Sequence, residues 1–177
     1  KASTESIAEA LGISQPALFK RFGTKKELSF RSVLYSLNQN LDGYLLEIKY
    51  DDRPFDIQLI ERCEKAIAFM QTQMPKIRLM QSMGLGFLKK VIPYDERPPI
   101  KHHQKMTEWF NAAIKAKAIE HESAHELATI FLGAMIAHIH IAEFGDPESK
   151  SARHYAELVT NTLIQGIRSR SKEPTCS

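Results

Sequence analysis

The sequence predicts an all-α protein, a short-helix head followed by a long-helix body, and three observations carry that prediction. Apolar residues recur every three to four positions along most of the chain, and no stretch alternates with the period of a strand. Breakers punctuate the pattern at Gly12 to Ser14, Gly23-Thr24, Asp51 to Pro54, Pro75, Ile92 to Pro99, His121 to Ser123 and Gly145 to Pro147. The helical runs before Thr24 are short, and most of those after it are long. With 177 residues, 43% hydrophobic and 25% charged, the chain suits a small head on a larger globular body.

Ser3 is placed to cap a first helix, because its hydroxyl accepts from an otherwise unpaired first-turn N–H. Ile7, Ala8 and Leu11 form its apolar face. Gly12 suits the left-handed position that ends such a helix, with Ile13 folding back onto Ile7 or Ala8. Ser14 caps the second helix, Gln15 to Phe22, and Pro16 is tolerated in its first turn, where the missing N–H has no helical partner anyway. Leu18 and Phe22 point inward, which leaves Gln15, Ala17, Lys20 and Arg21 outward or along the edges. Gly23 ends this helix, and Thr24 with Glu27 forms a capping box for a third.

Two helices joined by a short glycine-containing turn make the helix-turn-helix plan, whose second helix can enter a DNA major groove. A net charge of +3 argues nothing by itself, but Lys20, Arg21, Lys25, Lys26 and Arg31 are concentrated here against Glu27. Gln15 offers a donor and an acceptor to a base edge, and Ala17 a methyl-sized contact. The helix N-termini at Ser3, Ser14 and Thr24 present N–H groups suited to phosphates.

The run STESIAEALGISQPALFKRFGTKKEL resembles the DNA-binding head of the tetracycline-repressor (TetR) family of transcriptional regulators. Ser3, Ile7, Ala8, Gly12, Ile13, Ser14, Leu18, Phe19, Phe22, Thr24, Lys25 and Leu28 fall at the spacing of that family's pattern. The resemblance implies that Gln15, Pro16 and Ala17 read bases. It implies that Ser14, Phe19, Lys20 and Lys25 hold the phosphate backbone, with Ser3 and Thr4 at the start of the supporting helix. Phe19 stands where the family usually has tyrosine, so ring packing replaces a hydroxyl bond to phosphate. The family also has a further helix ahead of the position of Lys1, covering Ile7, Leu18 and Phe22. That helix is missing from the sequence, so the head is expected to be incomplete, by trimming or by disorder.

In the body, Leu34, Leu37, Leu41, Tyr44 and Ile48 continue one stripe, so the third helix is expected to run from Lys25 to near Ile48 and to connect head and body. The expected division is 1–46 for the helix-turn-helix domain with its connecting helix, and 47–177 for an antiparallel helical bundle. By the resemblance, the bundle binds a ligand and dimerises. Methionine and aromatic side chains adapt to apolar ligands, which makes Met70, Met74, Met83, Phe87, Met106, Trp109 and Phe110 candidate pocket residues, with Arg78 and His138 as polar anchors. Plain core packing explains the same residues. Gly84 and Gly86 mark a kink or close packing beside such a pocket.

The last helices are expected at Leu127 to Phe144 and Tyr155 to Ile167. In the family the last two helices pair with their copies, which implies a homodimer interface at Phe131, Ala134, His138, Tyr155, Val159, Thr162, Leu163 and Gly166. Packing within one chain explains those stripes equally well. Leu127 to Phe144 is apolar enough to suggest a membrane span, but His138, His140 and Glu143 favour a helix buried between others, and no membrane partner is expected.

The motif His121-Glu122-Ser123-Ala124-His125 spells H-E-x-x-H, which on one helix would place two zinc ligands and a general base. It lies at a helix boundary without an evident third ligand, so neither a metal, a cofactor nor an enzymatic activity is expected. The two cysteines, Cys63 and Cys176, do not make a disulfide framework, and no charged-then-apolar leader opens the sequence, which points to a reducing cytoplasm. The reading is a DNA-binding regulator, a repressor released from a palindromic double-stranded operator by a small, largely apolar ligand. A zinc hydrolase built on the histidine motif, or a helical interaction module without DNA binding, are the alternatives.

Overall fold

The computed structural model describes residues 3–82, 84–145 and 150–169. Eight α-helices are formed among them: α1 (Thr4–Ala10), α2 (Gln15–Phe22), α3 (Lys25–Leu46), α4 (Phe55–Ser82), α5 (Leu85–Val91), α6 (Pro98–Lys115), α7 (Ala124–Glu143) and α8 (Ala152–Ser169). A single 3₁₀ turn at Tyr94–Glu96 leads into α6. Helix α2 packs on α1 and α3, α3 lies against α4 and α6, and the body is closed by α6 on α7 and α4 on α8.

The head follows its caps. Ser3 Oγ accepts from the Ser6 N–H at 3.1 Å and Ser14 Oγ from the Ala17 N–H at 3.3 Å. Thr24 Oγ1 accepts from the Glu27 N–H at 3.2 Å, while Glu27 Oε2 accepts from the Thr24 N–H at 2.7 Å. Gly12 (φ +64°) closes α1, and the Ile13 N–H returns to the Ala8 carbonyl at 3.0 Å. The backbone folds back as expected but the side chains do not. Leu11 and Ile13 stay exposed, because a helix of seven residues buries only one narrow face, here Thr4 and Ala8. Leu18 is fully buried, with Ile7 and Phe22 half-buried beside it.

Two breaks differ from the sequence expectation. Pro75 does not end a helix; α4 runs through it for 28 residues. A proline costs one backbone hydrogen bond and some straightness. The flanking Ile67, Met74 and Met80, all buried, hold the two halves in one packed rod. The stop comes instead at Gly84, whose φ of +92° separates α4 from α5. Asp146 and Pro147, at the last expected break, lie outside the described residues.

Polar groups tie α3 and its exit loop to α4. Arg62, buried, donates to the Glu47 carbonyl at 2.8 Å and so satisfies the end of α3. Gln58, also buried, donates to the carbonyls of Asp51 and Arg53 at 2.8 and 2.7 Å and accepts from the Asp51 N–H at 3.1 Å. The main core joins Leu59, Ile67, Met106, Phe110, Leu127, Phe131 and Met135. A second cluster of Phe30, Leu37, Met80 and Ile92 links α3 to α4 and the α5–α6 segment.

α7 is, among the described residues, the one helix long and apolar enough to cross a membrane. It is not buried all round. Leu127, Ala128, Phe131, Leu132 and Met135 face the core, whereas Ile130, Ile136, Ile141 and Phe144 are exposed. α8 repeats the arrangement with Ala156 and Val159 buried and Leu158 exposed.

Candidate nucleic-acid interface and ligand cavity

Three helix N-termini gather at the head. Gln15, at the start of α2, donates its side-chain amide to Thr4 Oγ1 at 2.9 Å and Glu5 Oε1 at 3.1 Å, both in the first turn of α1. Glu5 in turn feels the charge of Lys25 at the start of α3. Its carboxyl is held below its ordinary value mainly by a hydrogen bond from its own backbone, then by Ser3 and Gln15, with Lys25 adding to them. Ser3, Thr4, Glu5, Gln15 and Lys25 are thus one neighbourhood, and Ser14, Pro16 and Ala17 lie exposed along the first turn of α2.

Two details refine the residue roles. The Thr4 side chain is buried, and its Oγ1 accepts from the Gln15 amide rather than facing outward. Gln15 is half-buried with its amide nitrogen committed, which leaves its carbonyl oxygen as the free group. Phe19 is half-buried, and Lys20, Arg21, Lys25, Lys26 and Arg31 are exposed. None of these cations forms a salt bridge among the described residues. Arg21 lies over the Phe22 ring at 5.7 Å, and Lys26 over Phe87 of α5 at 5.8 Å. The geometry suits a phosphate surface: exposed cations, without salt bridges among the described residues, beside side-chain-capped helix N-termini.

The body holds a partly open cavity of about 220 Å³ among α3, α4, α6 and α7. Leu37, Leu41, Met80, His102 and Leu132 form its buried walls, Phe69, Met70 and Ile77 its half-buried flanks, and Gln81, Pro99 and Ile136 its exposed rim. Of the residues expected to line a pocket, Met70 does so. Met74, Met106, Trp109 and Phe110 are buried in the core, where they fill space rather than border it. Phe87 packs edge-on against Phe30 at 5.0 Å in the second cluster. Arg78 pairs with Glu143 of α7, and His138 stacks on Tyr155 at 4.1 Å, so neither anchors a ligand in the cavity. Met83 lies outside the described residues. Sequence reasoning missed Leu37, Leu41 and Leu132, because a stripe of leucines reads as core whether or not the space before it is filled.

His102 is the polar group of the inner wall. Its Nε2 shares a hydrogen bond with the Tyr44 hydroxyl at 3.2 Å, and burial lowers its pKa to about 4, so the ring is neutral near pH 7.

Most of the residues expected at a dimer interface face inward. Phe131 and Val159 are buried, Ala134, Tyr155 and Leu163 pack half-buried against the core, and the Tyr155 hydroxyl donates to the Ala134 carbonyl at 2.9 Å. Thr162 and Gly166 are exposed on α8. The outward faces carry Ile130, Gly133, Ala137 and Ile141 on α7, Phe144 at its C-cap and Leu158 on α8; of these, Ile130, Gly133 and Ala137 lie one residue over from Phe131, Ala134 and His138.

The histidine motif does not form a zinc helix. His121 precedes the α7 N-cap Ser123, and its Nδ1 accepts from the Ser123 N–H at 3.0 Å. His125 meets His103 of α6 at 4.4 Å between ring centroids. Among the described residues no three metal-binding side chains converge.

Comparison with known proteins agrees with this picture. Residues 1–31 match the family described as bacterial regulatory proteins, tetR family. No curated protein matches the chain. Among solved structures, the TetR-family regulator PfmR from Thermus thermophilus is similar, with a TM-score of 0.60 at 16% identity over 93% of this chain and 88% of that one. A putative fatty acid metabolism regulator from Clostridium perfringens aligns with a TM-score of 0.60 at 14% identity, over 94% and 89% of the two chains. A TetR/AcrR-family regulator from Thermobifida fusca gives 0.55 at 16% identity, over 93% and 86%. At such identities the whole-chain likeness is one of fold, while the head is matched in sequence. The head, residues 1–31, is thus similar in sequence to the tetR family of bacterial regulatory proteins, and the chain shares the all-α fold of solved regulators of that family.

Proposed function

We propose that the protein is a cytoplasmic, homodimeric repressor, released from a palindromic operator when a small, largely apolar molecule enters the body cavity. The observation that carries this reading is the double duty of α3. Its first residue, Lys25, is an exposed cation of the head, and two turns of its later part contribute Leu37 and Leu41 to the cavity wall. A ligand that fits better when those walls are displaced favours one tilt of α3, and its differential affinity sets how far the equilibrium moves. The exposed faces of α7 and α8 support the dimer, since a two-turn recognition helix reads few bases alone and a two-fold pair doubles the site.

Gln15, Pro16 and Ala17 take the base edges in this reading. Ser14, Phe19, Lys20 and Lys25, with the first turn at Ser3 and Thr4, take the phosphates. Binding to DNA from the protein's own promoter region, followed by fluorescence anisotropy across a salt series, tests it. Affinity is expected to fall steeply and linearly on a log–log plot as salt rises. Binding that does not respond to salt, or no binding, sinks the proposal.

A further inference from the structure

The chemistry of the cavity wall, taken with the cations around it, narrows what the cavity accepts. None of its described lining residues is charged; the walls are leucine, methionine, phenylalanine, isoleucine and proline, with His102 deep and Gln81 at the rim. The nearest cations along the chain are engaged elsewhere. Lys101 pairs with Asp42, Lys76 donates to Gln73 Oε1 at 3.2 Å, and Arg78 pairs with Glu143. Arg97 donates to the Ile92 and Lys89 carbonyls at 3.3 and 3.2 Å. An anion seated inside would lose its water and gain no compensating charge, which is among the most costly burials a protein can make.

His102 supplies the one directional contact at the inner end. Its Nε2 is shared with Tyr44, whichever of the two donates, while its Nδ1 has no hydrogen-bond partner among the described residues. The side chain is 6% exposed and lines the cavity. A hydroxyl can either donate to or accept from that nitrogen, so it matches both tautomers. A cavity of about 220 Å³ exceeds the roughly 150 Å³ that accepts benzene, which suits about eight to ten non-hydrogen atoms.

Building on the ligand-responsive reading above, we infer that the cavity is selective for an uncharged aliphatic or aromatic molecule carrying one hydroxyl-type group, seated against His102, and that it discriminates against the corresponding carboxylate. A carboxylate at the inner end meets a neutral ring and apolar walls. Reversed, with its head at the rim, it leaves His102 Nδ1 without a partner and finds only Gln81 there.

Isothermal titration of the whole chain near neutral pH with 1-octanol and with sodium octanoate tests this. Octanol is expected to bind at least about tenfold more tightly. His102→Phe, which keeps an aromatic ring but no nitrogen, is expected to lower octanol affinity several-fold and leave octanoate unchanged. The comparison on the unaltered protein decides the matter even if that variant fails to fold. Octanoate binding as tightly as octanol, or no binding of either, overturns the inference. Because titration reads the cavity without DNA, octanol that binds but does not release DNA would sink the release mechanism alone. DNA binding by a protein that ignores octanol would sink the inference alone.

Discussion

The Tyr44 hydroxyl lies 3.2 Å from His102 Nε2, with the two rings edge-to-face at 5.2 Å, so the connecting helix α3 and the cavity helix α6 meet through one buried polar pair. Phe69 of α4 stacks on the other side of Tyr44 at 4.4 Å. His102 lines the cavity, and the pair is therefore a joint between the helix that carries the head and the bundle that encloses the cavity.

Burial of His102 makes stability depend on pH. Its folded pKa is lowered to about 4 from 6.5, chiefly by desolvation, with His103 contributing. Between those values the unfolded chain binds a proton that the folded one does not, so stability is complete above about pH 6.5 and declines as pH falls toward about 4. At about 1.36 kcal/mol per unit, the loss is of order 3 kcal/mol. His103, lowered by burial and by His125, adds in the same direction. Urea unfolding at several pH values is expected to show this slope, and His102→Phe to flatten most of it. An unchanged slope in the variant would remove His102 from the account.

Gly23 is needed for two reasons. Its φ is +79°, and a Cβ there would lie 2.0 Å from Glu27 Oε2, the oxygen that caps α3. Gly23→Ala is expected to destabilise the head by about 1–3 kcal/mol through strain and to break the Thr24–Glu27 box. Hydrogen exchange in α2 and the first turn of α3 should accelerate while α6 and α7 keep their protection. Equal protection in both proteins would contradict the role given to this turn.

The cations and the residues proposed to read bases should separate in binding assays. Lys25→Ala is expected to weaken all DNA sequences about equally and to reduce the salt slope by about one. Gln15→Ala is expected to change preference at one base step, where the base offers an exocyclic amino donor to the Gln15 carbonyl oxygen. A competition assay over a randomised duplex distinguishes them. Matching profiles for the two variants would overturn these assignments.

The exposed faces of α7 and α8 should hold the dimer. Ile141 and Leu158 are 53% and 54% exposed, on helices whose opposite faces are already buried. Ile141→Glu and Leu158→Glu are each expected to shift sedimentation toward monomer without changing helical content. Inward-facing Val159→Glu should instead unfold the body. A dimer that survives both outward substitutions would place the interface elsewhere.

The head was legible because its signals are local. Ser14, Gly23 and the Thr24–Glu27 box act within one turn of chain, and each cap appears where its residue types required. The body was legible as helices but not as surfaces. Periodicity shows that Phe131, Ala134 and His138 share a stripe with the core, yet Ile130, Gly133 and Ala137 have the same spacing one residue over. Only the placement of α6 and α8 decides which stripe is covered. Pro75 and Gly84 show the same limit: packing carries α4 through the proline, and the chain stops at a glycine that could have passed as helical. The cavity was the least legible feature. It is bounded by ordinary leucines such as Leu37, Leu41 and Leu132, and emptiness leaves no mark on sequence.

Two copies of this head are proposed to read one symmetric DNA site, and footprinting on the protein's own promoter region puts that to the test. Two protected half-sites related by a dyad are expected, their centres about one helical turn or a multiple of it apart, with protection lost in Lys25→Ala at elevated salt. Protection of a single half-site, or none at any salt concentration, would contradict it.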